Sequence, residues 1–475
     1  MFRLKDLAGV IPGAIILGDP QTEWKDISID SRTIKAGAIF FAIRGEKFDG
    51  HQFIVKACEE GASAIVLENS FYNNHQHLHQ ELAQPFLLVD NTIVALQLWS
   101  HFYHSLFKPL NICITGSNGK TTTKELTAHL LKNKYHVLKS HGNFNNEIGV
   151  PLTLLNLNKQ HDVLVMEMAA QKTGEIRELT NIVKPDIAII TNIGEAHIGL
   201  FGNKENIVRE KAEIILSLKD KGTAILNRDD HYFEYLKSCT SIHNDIISFG
   251  FHTDADLRAG DLEQEETGNM QCKLYYENQE YELLLPFLGL FNIYNTLAAL
   301  AVGIKMHIAI EEMIELLKEF NIPLMHMENR QMQNDITLVN DCYNANPTAV
   351  KEALKSIAHL PGEKNKIAIL GDMLELGEQS SFYHQEIGKT VAELSFDLLF
   401  VYGDEASWIA KGAREQGMPA QKIYHFERNN IEGLVIKLKK VIPQNSIALI
   451  KGSRGMQMEQ IFCLWEKCSI EKENC

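Results

Sequence analysis

A glycine-rich segment carries the clearest chemical pattern in this sequence. Residues 114–123 read Ile-Thr-Gly-Ser-Asn-Gly-Lys-Thr-Thr-Thr, between an apolar run and a helical pattern. Glycines let backbone N–H groups approach phosphate oxygens, and the N-terminus of the following helix adds a favourable dipole. Lys120 would place a positive charge on the outer phosphates, and Thr121 or Thr122 could offer a hydroxyl to Mg²⁺. The segment therefore predicts a phosphate loop, although Ile114 replaces the first glycine of the Gly-x-x-x-x-Gly-Lys pattern.

Three more side chains are candidates for the same phosphate site. Glu167 ends an apolar run, and His197 lies in the polar stretch that follows another such run. Because parallel sheets bind ligands at the carboxyl ends of their strands, both could meet a metal ion beside a nucleotide. Lys211 lies in the charged sequence Arg-Glu-Lys-Ala-Glu. The plainer interpretation of Glu167 is a solvated acid, and that of His197 is a structural histidine. For Lys211 above all, the plainer interpretation is a charge on a solvated helix face.

Apolar runs that alternate with helical patterns must position these residues. The predicted strands are residues 110–115, 163–167, 187–191, 223–227, 336–340, 366–371, 398–402 and 446–450. Such alternation favours a parallel α/β architecture. Residues 251–285 are polar and then alternating, which predicts a small antiparallel insertion. Prolines at 109 and 323 disfavour helix just before them, so we expect domains at residues 1–108, 109–322 and 323–475.

The composition is that of an ordinary globular protein. A length of 475 residues suggests roughly three domains at about 150 residues each. Hydrophobic residues make up 45% and charged residues 23%, which excludes global disorder and collagen-like repeats. The formal charge of −15 argues against a nucleic-acid partner, because nucleic-acid binding needs a basic surface.

The spacing of the cysteines and the lengths of the apolar runs indicate the cellular compartment of the protein. The eight cysteines form no Cys-x-x-Cys pair and several lie in apolar runs, which favours reduced, buried thiols. No apolar run approaches the ~18 residues that a membrane-spanning helix needs. The first residues carry an early acid and no cleavage pattern of a signal peptide. We therefore expect a cytoplasmic protein that is not embedded in a membrane.

The chemical motifs, taken together, resemble one enzyme family. The phosphate loop from Thr115, the strand-end Glu167, the sequence Thr-Asn-Ile-Gly-Glu-Ala-His that ends at His197, and Lys211 are similar to those of the Mur ligases. Members of this family form amide bonds with ATP during peptidoglycan synthesis. The joint order of these motifs is what separates the resemblance from an isolated glycine-rich turn.

Three further motifs resemble the branch of the family that adds D-alanyl-D-alanine. Residues 340–347 read Asn-Asp-Cys-Tyr-Asn-Ala-Asn-Pro, and residues 369–377 read Ile-Leu-Gly-Asp-Met-Leu-Glu-Leu-Gly. Asp-Ser-Arg at 30–32 and the sequence that ends in Asp-Gly-His at 49–51 resemble the UDP-sugar domain of that branch. The resemblance covers essentially the whole chain, and the Tyr-Asn-Ala-Asn-Pro element is its most discriminating part.

The resemblance implies a fold and a reaction. It implies a central P-loop-type parallel sheet with helices on both faces, a Rossmann-like C-terminal domain and a smaller α/β N-terminal domain. The N-terminal domain would bind UDP-N-acetylmuramoyl-tripeptide, the central domain ATP, and the C-terminal domain D-alanyl-D-alanine while completing the ATP site. The tripeptide carboxylate would be phosphorylated and then attacked by the dipeptide amine, which gives the pentapeptide precursor, ADP and phosphate.

Site residues follow from the same resemblance. Those for ATP are Thr115, Gly116, Ser117, Asn118, Gly119, Lys120, Thr121, Thr122, Asn292, Asn295, Arg330 and Asp341. Those for two Mg²⁺ ions are Thr121, Glu167, His197 and Lys211, with Lys211 carbamylated so that it becomes an anion that supports the second ion. The catalytic set is Lys120, Glu167, His197 and Lys211. Those for the substrates are Ser31, Arg32, Asn145, Asn146, Tyr343, Asn344, Asn346, Lys451 and Arg454.

Some of these assignments have structural alternatives. Asn292 could cap a helix, and the Asn-Pro step at Asn346 could only set a turn. Asn145 and Asn146 lie in a segment that could be a plain glycine- and asparagine-rich turn. The family often has an acid at the position of Asn340, which leaves Asp341 as the remaining carboxylate.

Two other functional classes stay open at this point. A sibling ligase, such as the Mur enzyme that adds the third residue or folylpolyglutamate synthase, would share the central motifs. A nucleotide-gated switch or motor would need the phosphate loop without ligase chemistry. The sequence leaves open whether the tripeptide ends in diaminopimelate or lysine, and we expect a monomer.

Overall fold

The computed structural model describes residues 2–45, 48–265 and 268–473. The chain forms two compact units. The first unit comprises Met1–Asn111, Leu138–Met168 and Glu178–Lys184, and the second comprises Ile112–Val137, Ala169–Arg177 and Pro185–Cys475. In the described parts of both, no helix combines the length and apolar character needed to cross a membrane.

Strands occur throughout the described residues. They are β1 (Phe2–Arg3), β2 (Ile15–Leu17), β3 (Glu23–Trp24), β4 (Ile27–Ser28), β5 (Ile39–Phe41), β6 (Ala64–Glu68), β7 (Phe86–Val89), β8 (Leu110–Thr115), β9 (Val137–Lys139), β10 (Val163–Glu167), β11 (Ile187–Ile190), β12 (Thr223–Asn227), β13 (Asp245–Gly250), β14 (Leu257–Gln264), β15 (Met270–Tyr276), β16 (Gln279–Leu285), β17 (Glu328–Gln331), β18 (Ile336–Asn340), β19 (Asn365–Gly371), β20 (Leu398–Tyr402), β21 (Ile423–Phe426) and β22 (Ser446–Lys451). Each predicted strand is confirmed to within about a residue, because buried apolar runs of this length are typical of parallel sheets.

Helices lie between most of these strands. They are α1 (Leu4–Val10), α2 (Ile54–Glu59), α3 (Asn69–Tyr72), α4 (Leu78–Glu81), α5 (Thr92–Ser105), α6 (Lys120–Leu131), α7 (Gly149–Leu154), α8 (Glu175–Ile182), α9 (Ile198–Phe201), α10 (Lys204–Leu216), α11 (Phe233–Ser238), α12 (Leu290–Lys305), α13 (Ile310–Lys318), α14 (Pro347–Ala358), α15 (Ser380–Glu393), α16 (Ser407–Glu415), α17 (Ile431–Val441) and α18 (Gln460–Glu473). The alternation of strand and helix confirms the predicted α/β class.

The first unit contains a sheet in the order β2-β7-β6-β5-β4. Strands β4 to β7 pair in parallel, and β2 joins β7 antiparallel at one edge. Phe41, Val66, Leu87 and Trp99 are fully buried in one core cluster beside this sheet. Helix α5, which contributes Trp99 to that core, begins where the Asn91 side chain accepts hydrogen bonds from two backbone N–H groups.

One sheet of the second unit holds the glycine-rich segment. Its strands follow the order β16-β15-β14-β13-β12-β11-β8, with β8, β11, β12, β13 and β14 paired in parallel. Strands β14, β15 and β16 form an antiparallel meander, so the predicted antiparallel insertion is confirmed. The meander extends the parallel sheet through the β13–β14 pair. Helix α12 packs against α6 and against β12 and β13.

The C-terminal part of the second unit has its own sheet in the order β17-β18-β22-β19-β20-β21. All neighbours pair in parallel except β17, which runs antiparallel to β18. The fully buried residues Leu338, Ile369, Phe400 and Ile450 come from four of these strands. The topology places the carboxyl ends of β18 and β22 side by side.

Candidate active site

The phosphate loop connects β8 to α6 through two glycines with left-handed backbones. Gly116 has φ +149° and Gly119 has φ +79°. A Cβ at Gly116 would lie 1.9 Å from Oγ1 of Thr191, and a Cβ at Gly119 would lie 2.1 Å from Oδ1 of Asn295. Both positions require glycine because the backbone conformation and the close packing exclude a side chain.

The N-terminus of α6 is built to hold an anion. The first intrahelical hydrogen bond runs from Thr123 N–H to the Gly119 carbonyl, 2.9 Å away. The N–H groups just before it therefore point out of the helix end, where they and the helix dipole favour a phosphate. Lys120 folds back over the loop, and its Nζ donates to the carbonyls of Gly116 at 2.8 Å and Ser117 at 3.3 Å.

The two threonines after Lys120 differ in exposure. Thr122 is buried, whereas Thr121 is partly exposed at the start of α6. A ligand at the helix end can therefore reach Thr121 more readily. Thr121 is therefore the more accessible of the two hydroxyls between which the sequence did not decide.

A second loop supports the phosphate loop from behind. We call residues 191–194, which follow β11, the buttress loop. Asn192 accepts hydrogen bonds from Ser117 N–H through its carbonyl (2.9 Å) and from Asn118 N–H through its Oδ1 (3.0 Å). Gly194 N–H donates to Ser117 Oγ at 2.7 Å, and the same hydroxyl donates back to the Gly194 carbonyl at 3.1 Å.

Asn192 was not singled out from the sequence. The order of the strands could have identified it. Strand β11 pairs with β8, and polar residues that follow neighbouring parallel strands meet at one edge of the sheet. The hydrogen bonds of Asn192 hold the backbone of the phosphate loop in place.

His197 lies just beyond the buttress loop and has a left-handed backbone, with φ 60°. Its Nδ1 is 2.5 Å from Oε2 of Glu375, and Gly199 N–H donates to the Glu375 carbonyl at 3.1 Å. The hydrogen bond from His197 lowers the pKa of the Glu375 carboxyl. Glu375 lies in the 369–377 motif, yet the sequence did not identify it as a site residue.

Lys211 is buried on α10, with 3% of its surface exposed. The solvated-helix interpretation of this residue is therefore wrong. Burial, with a smaller contribution from the positive charge of Lys120, lowers its pKa to about 7. The neighbouring Glu210 accepts hydrogen bonds from Gly174 and Ile176 N–H groups at 2.6 and 2.7 Å.

The Asn292–Asn295 pair lies inside the first turns of α12. Because α12 begins after Gly289, the alternative that Asn292 caps this helix is wrong. Asn292 Nδ2 donates to the Leu288 carbonyl at 2.6 Å, and Asn295 Nδ2 donates to Asn292 Oδ1 at 3.0 Å. Both residues are buried, and Asn295 packs against the glycine that opens α6.

In the C-terminal part, Asp341 and Lys451 form a buried ion pair. Lys451 Nζ lies 2.6 Å from Asp341 Oδ2 and 3.0 Å from the carbonyl of Asn344. The two residues end up together because β18 and β22 are neighbours. Arg330 on β17 donates to Glu328 at 2.9 Å, and its guanidinium lies 5.0 Å from the centre of the Phe462 ring.

Asn346 combines a structural contact with one to the phosphate loop. Its Oδ1 accepts from Ala349 N–H at 3.0 Å and caps α14, with Pro347 as the first helical residue. Its Nδ2 donates to Asn118 Oδ1 at 2.6 Å. Asn346 therefore does more than set a turn.

The remaining C-terminal candidates have other partners. The Tyr343 ring stacks on that of His326, with ring centres 4.7 Å apart, and Asn344 Oδ1 accepts from Ala345 N–H. Arg454 pairs with Glu459 at 2.9 Å. These contacts leave the predicted substrate roles of Tyr343, Asn344 and Arg454 as predictions.

Five further candidates belong to the first unit, and two of them, Ser31 and Arg32, are neighbours in sequence. Arg32 is exposed and binds the Asp30 carboxylate with two nitrogens, while Ser31 beside it is buried. The hydrogen bonds from Arg32 lower the pKa of Asp30 to about 2.

Glu167, at the end of β10, is also buried in the first unit. It accepts a hydrogen bond from Asn145 Nδ2 at 2.8 Å. Asn146 Oδ1 accepts from Gly149 N–H at 2.9 Å, where α7 begins. Asn146 therefore makes a local contact at the helix start, whereas Asn145 contacts a predicted metal ligand, and the substrate roles of both stay predictions.

Comparisons with known proteins decide the family. Models described as Mur ligase family, catalytic domain, Mur ligase middle domain, and Mur ligase, glutamate ligase domain match residues 23–101, 114–303 and 326–454. The UDP-N-acetylmuramoyl-tripeptide--D-alanyl-D-alanine ligase of Bacillus subtilis is 33% identical over 467 residues, which cover 96% of this chain and 97% of that protein. The chain belongs to the Mur ligase family. The equivalent Escherichia coli enzyme is 28% identical, with coverage of 96% and 95%.

Solved Mur ligase structures confirm the predicted fold class. A crystal structure of MurF from Acinetobacter baumannii aligns with a TM-score of 0.87 at 29% identity, and covers 98% of this chain and 99% of that one. MurF from Thermotoga maritima in complex with ADP aligns with a TM-score of 0.82 at 29% identity, with coverage of 96% and 100%. The agreement spans all three segments that the Mur ligase family models match.

Proposed function

We propose that this chain is an ATP-dependent ligase that adds D-alanyl-D-alanine to UDP-N-acetylmuramoyl-tripeptide. The observation that carries the proposal is its continuous similarity to a ligase of that name, over 96% of the chain. In the reaction, the tripeptide carboxylate attacks the γ-phosphorus of ATP and releases ADP. The dipeptide amine then attacks the acyl phosphate, and phosphate leaves as the amide bond forms and a proton is lost.

The ATP site performs this reaction mainly by neutralising charge. A carboxylate and a triphosphate repel each other, so donors and cations must be in place before they meet. We assign phosphate binding to the N-terminus of α6 and to Lys120, whose ammonium lies over the loop. The similar structure that is in complex with ADP supports the use of a nucleotide. Asn292, Asn295, Arg330 and Asp341 are proposed to complete the ATP site.

Mg²⁺ is part of the proposal. The described residues contain no group of three or more His, Cys, Asp or Glu side chains arranged to hold a metal. The donors proposed for it are the Thr121 hydroxyl, the Glu167 carboxylate, the His197 imidazole and a modified Lys211. Oxygen donors suit Mg²⁺, and nucleotide phosphates would supply the rest of its coordination. When bound, Mg²⁺ would neutralise the charge of the reacting phosphate.

Carbamylation of Lys211 fits its environment. Its buried amine has a pKa of about 7, so a large fraction is neutral and nucleophilic at physiological pH. The neutral Nζ would form an N–C bond to carbon dioxide and release one proton, which gives an anionic carbamate. The product would attract the nearby Lys120 and a second Mg²⁺, whereas the ammonium form repels both.

Isotope labelling tests the carbamate directly. Wild-type protein in ¹³C-bicarbonate should show one carbamate ¹³C resonance that is absent from Lys211→Ala. The matched control is Lys237→Ala, which removes an exposed helical lysine and should keep the resonance. We also expect Lys211→Ala to lose activity and a short carboxylate to restore part of it. Full activity of the unrescued variant would reject the role.

Release of ADP from the purified protein tests the ligase function. Turnover should require UDP-N-acetylmuramoyl-tripeptide and D-alanyl-D-alanine together. Equal turnover with a single amino acid would favour a sibling ligase, and rapid ATP hydrolysis without any acceptor would favour a nucleotide switch. A comparison of tripeptides that end in diaminopimelate and lysine would then identify the natural acceptor.

The predicted division of labour is retained in the proposal. The matched segments support an N-terminal domain for the UDP-sugar peptide, a central ATP domain and a C-terminal dipeptide domain, at residues 1–108, 109–322 and 323–475. We assign Ser31, Arg32, Asn145 and Asn146 to the sugar-nucleotide peptide. Tyr343, Asn344, Asn346, Lys451 and Arg454 are assigned to the dipeptide side. A cytoplasmic monomer without a nucleic-acid partner stays a prediction.

A further inference from the structure

The turn after β12 is tied to the buttress loop by one carboxylate. Asp230 Oδ2 accepts from Ile193 N–H at 2.7 Å, and Asp230 Oδ1 accepts from Tyr232 N–H at 2.9 Å. Asn227, the last residue of β12, adds a parallel contact, because its Nδ2 donates to the Thr191 carbonyl at 3.3 Å. The buttress loop is thus held at Thr191 and at Ile193 by residues at the end of β12 and in the turn that follows it.

Ile193 lies between the two residues that hold the phosphate loop. Asn192 and Gly194 bond to Ser117 and Asn118, as described above. A shift of the Ile193 backbone would therefore move both supports at once. The Asp230 carboxylate reaches the nucleotide site through two layers of hydrogen bonds without lying in it.

Retaining a carboxylate at this position has an energetic cost. Burial raises the pKa of Asp230, while the two N–H groups partly offset that effect. A simple turn would need only the hydrogen bond to Tyr232 N–H. The second oxygen, which faces Ile193, has no role in closing the turn and points to a function in the buttress loop.

We propose that Asp230 is a positioning residue for the nucleotide: it fixes the phosphate loop through Ile193 N–H and the buttress loop. The inference deepens the proposed function, on which it rests for the identity of the nucleotide. It predicts that Asp230 controls the affinity for ATP and ADP and leaves the affinity for the dipeptide unchanged.

Two substitutions at Asp230 separate a positioning role from a turn role. Asp230→Asn keeps one acceptor oxygen, so one of the two N–H groups loses its partner. Asp230→Ala removes both acceptors. Because a hydrogen bond to a charged group contributes strongly, we expect Asp230→Asn to weaken ADP binding by about tenfold or more, and Asp230→Ala to weaken it further.

Direct nucleotide titration without acceptor substrates is the primary measurement. The matched control is Asp256→Asn, since Asp256 also accepts two hydrogen bonds, both from Ser248, within the same sheet and away from the buttress loop. The control should bind ADP within twofold of wild type. Kinetics should show a raised KM for ATP with the KM for D-alanyl-D-alanine unchanged.

Hydrogen exchange provides a readout that does not depend on activity. The Ser117 and Asn118 amides are bonded to Asn192, so their exchange should accelerate in Asp230→Asn while β12 stays protected. Wild-type ADP affinity in both Asp230 variants, or an equal loss in Asp256→Asn, would overturn the proposal. Because binding is measured without acceptors, a failed ligase assay of the wild type would reject the proposed function separately.

Discussion

Lys211 and Lys451 are both buried in the second unit, with 3% and 4% of their surfaces exposed, but their surroundings differ. Lys451 lies against the Asp341 carboxylate, 2.6 Å away, and donates to a backbone carbonyl as well. Burial lowers the pKa of Lys211 to about 7, with a smaller contribution from the cation Lys120 that the carboxylate of Glu210 opposes. The central region therefore favours a neutral amine, whereas the C-terminal region holds its lysine in an ion pair.

The comparison shows that burial alone does not define the chemistry of a lysine. A buried ammonium persists where a carboxylate and further acceptors compensate for the lost water. Where burial is not compensated in this way, the neutral form gains and the nitrogen becomes a better nucleophile. The fold thus buries one lysine beside another cation near the phosphate loop and pairs the other with a carboxylate between β18 and β22.

The largest expected effect is a pH-dependent gain in stability on substituting Lys211. The unfolded lysine titrates near 10.5 and the folded one near 7, so the unfolded state binds more protons between these values. Wild-type stability should therefore rise with pH through this window, by a total of about 5 kcal/mol. Lys211→Met removes the group, so its advantage over wild type should be greatest near pH 7 and shrink by about 1.4 kcal/mol per pH unit.

Denaturant unfolding at pH 7 and pH 9 measures this change. Buffers free of carbon dioxide keep Lys211 as an amine. Lys237→Met, at an exposed lysine, should show no such pH dependence. If the free energies of unfolding of Lys211→Met and wild type differed by the same amount at both pH values, the pKa of Lys211 would not be lowered on folding. The contrast with the ion-paired Lys451 would then be wrong.

The next largest effect concerns the ion pair. Lys451→Met leaves the Asp341 carboxylate buried without its partner, which should reduce the free energy of unfolding by about 4 kcal/mol at pH 7. Adding Asp341→Asn should recover most of that loss, because no uncompensated charge then remains. Urea unfolding of the two single variants and the double variant gives the coupling energy. Additive losses would show that the pair is not an energetic unit.

Features that depend on local sequence could be predicted, whereas contacts between residues distant in sequence could not. The phosphate loop depends on Gly116, Gly119 and Lys120, whose backbone and helix-end chemistry is local, and the strands depend on local apolar runs. The pairing of Asp341 with Lys451 spans 110 residues and requires β18 and β22 to be neighbours. Local patterns do not specify such neighbours, so these two residues were assigned separate ligand roles.

Contacts across the second unit were missed for the same reason. Glu375 meets His197 across 178 residues, and Asp230 meets the buttress loop through a backbone N–H that no side-chain pattern reveals. The burial of Lys211 was equally invisible, because its neighbours along the chain are charged. The Mur ligase resemblance identified Lys211 as a site residue, but only the structure shows its physical state.

The smallest expected effect tests whether the two regions are energetically separate. Asn346 caps α14 through Oδ1 and donates to Asn118 in the phosphate loop through Nδ2. Asn346→Ser keeps a capping hydroxyl but is too short to reach Asn118, whereas Asn346→Ala loses both contacts. The two variants should therefore differ by about 1 kcal/mol of stability, which is the contribution of the cap. Asn346→Ser itself should differ from wild type by less than that, since the contact is a neutral hydrogen bond to the half-buried side chain of Asn118. Thermal unfolding with and without ADP is the measurement, and Asn118→Ala combined with Asn346→Ser completes a double-mutant cycle. A coupling energy well above 1 kcal/mol would show that the phosphate loop and the start of α14 form one energetic unit.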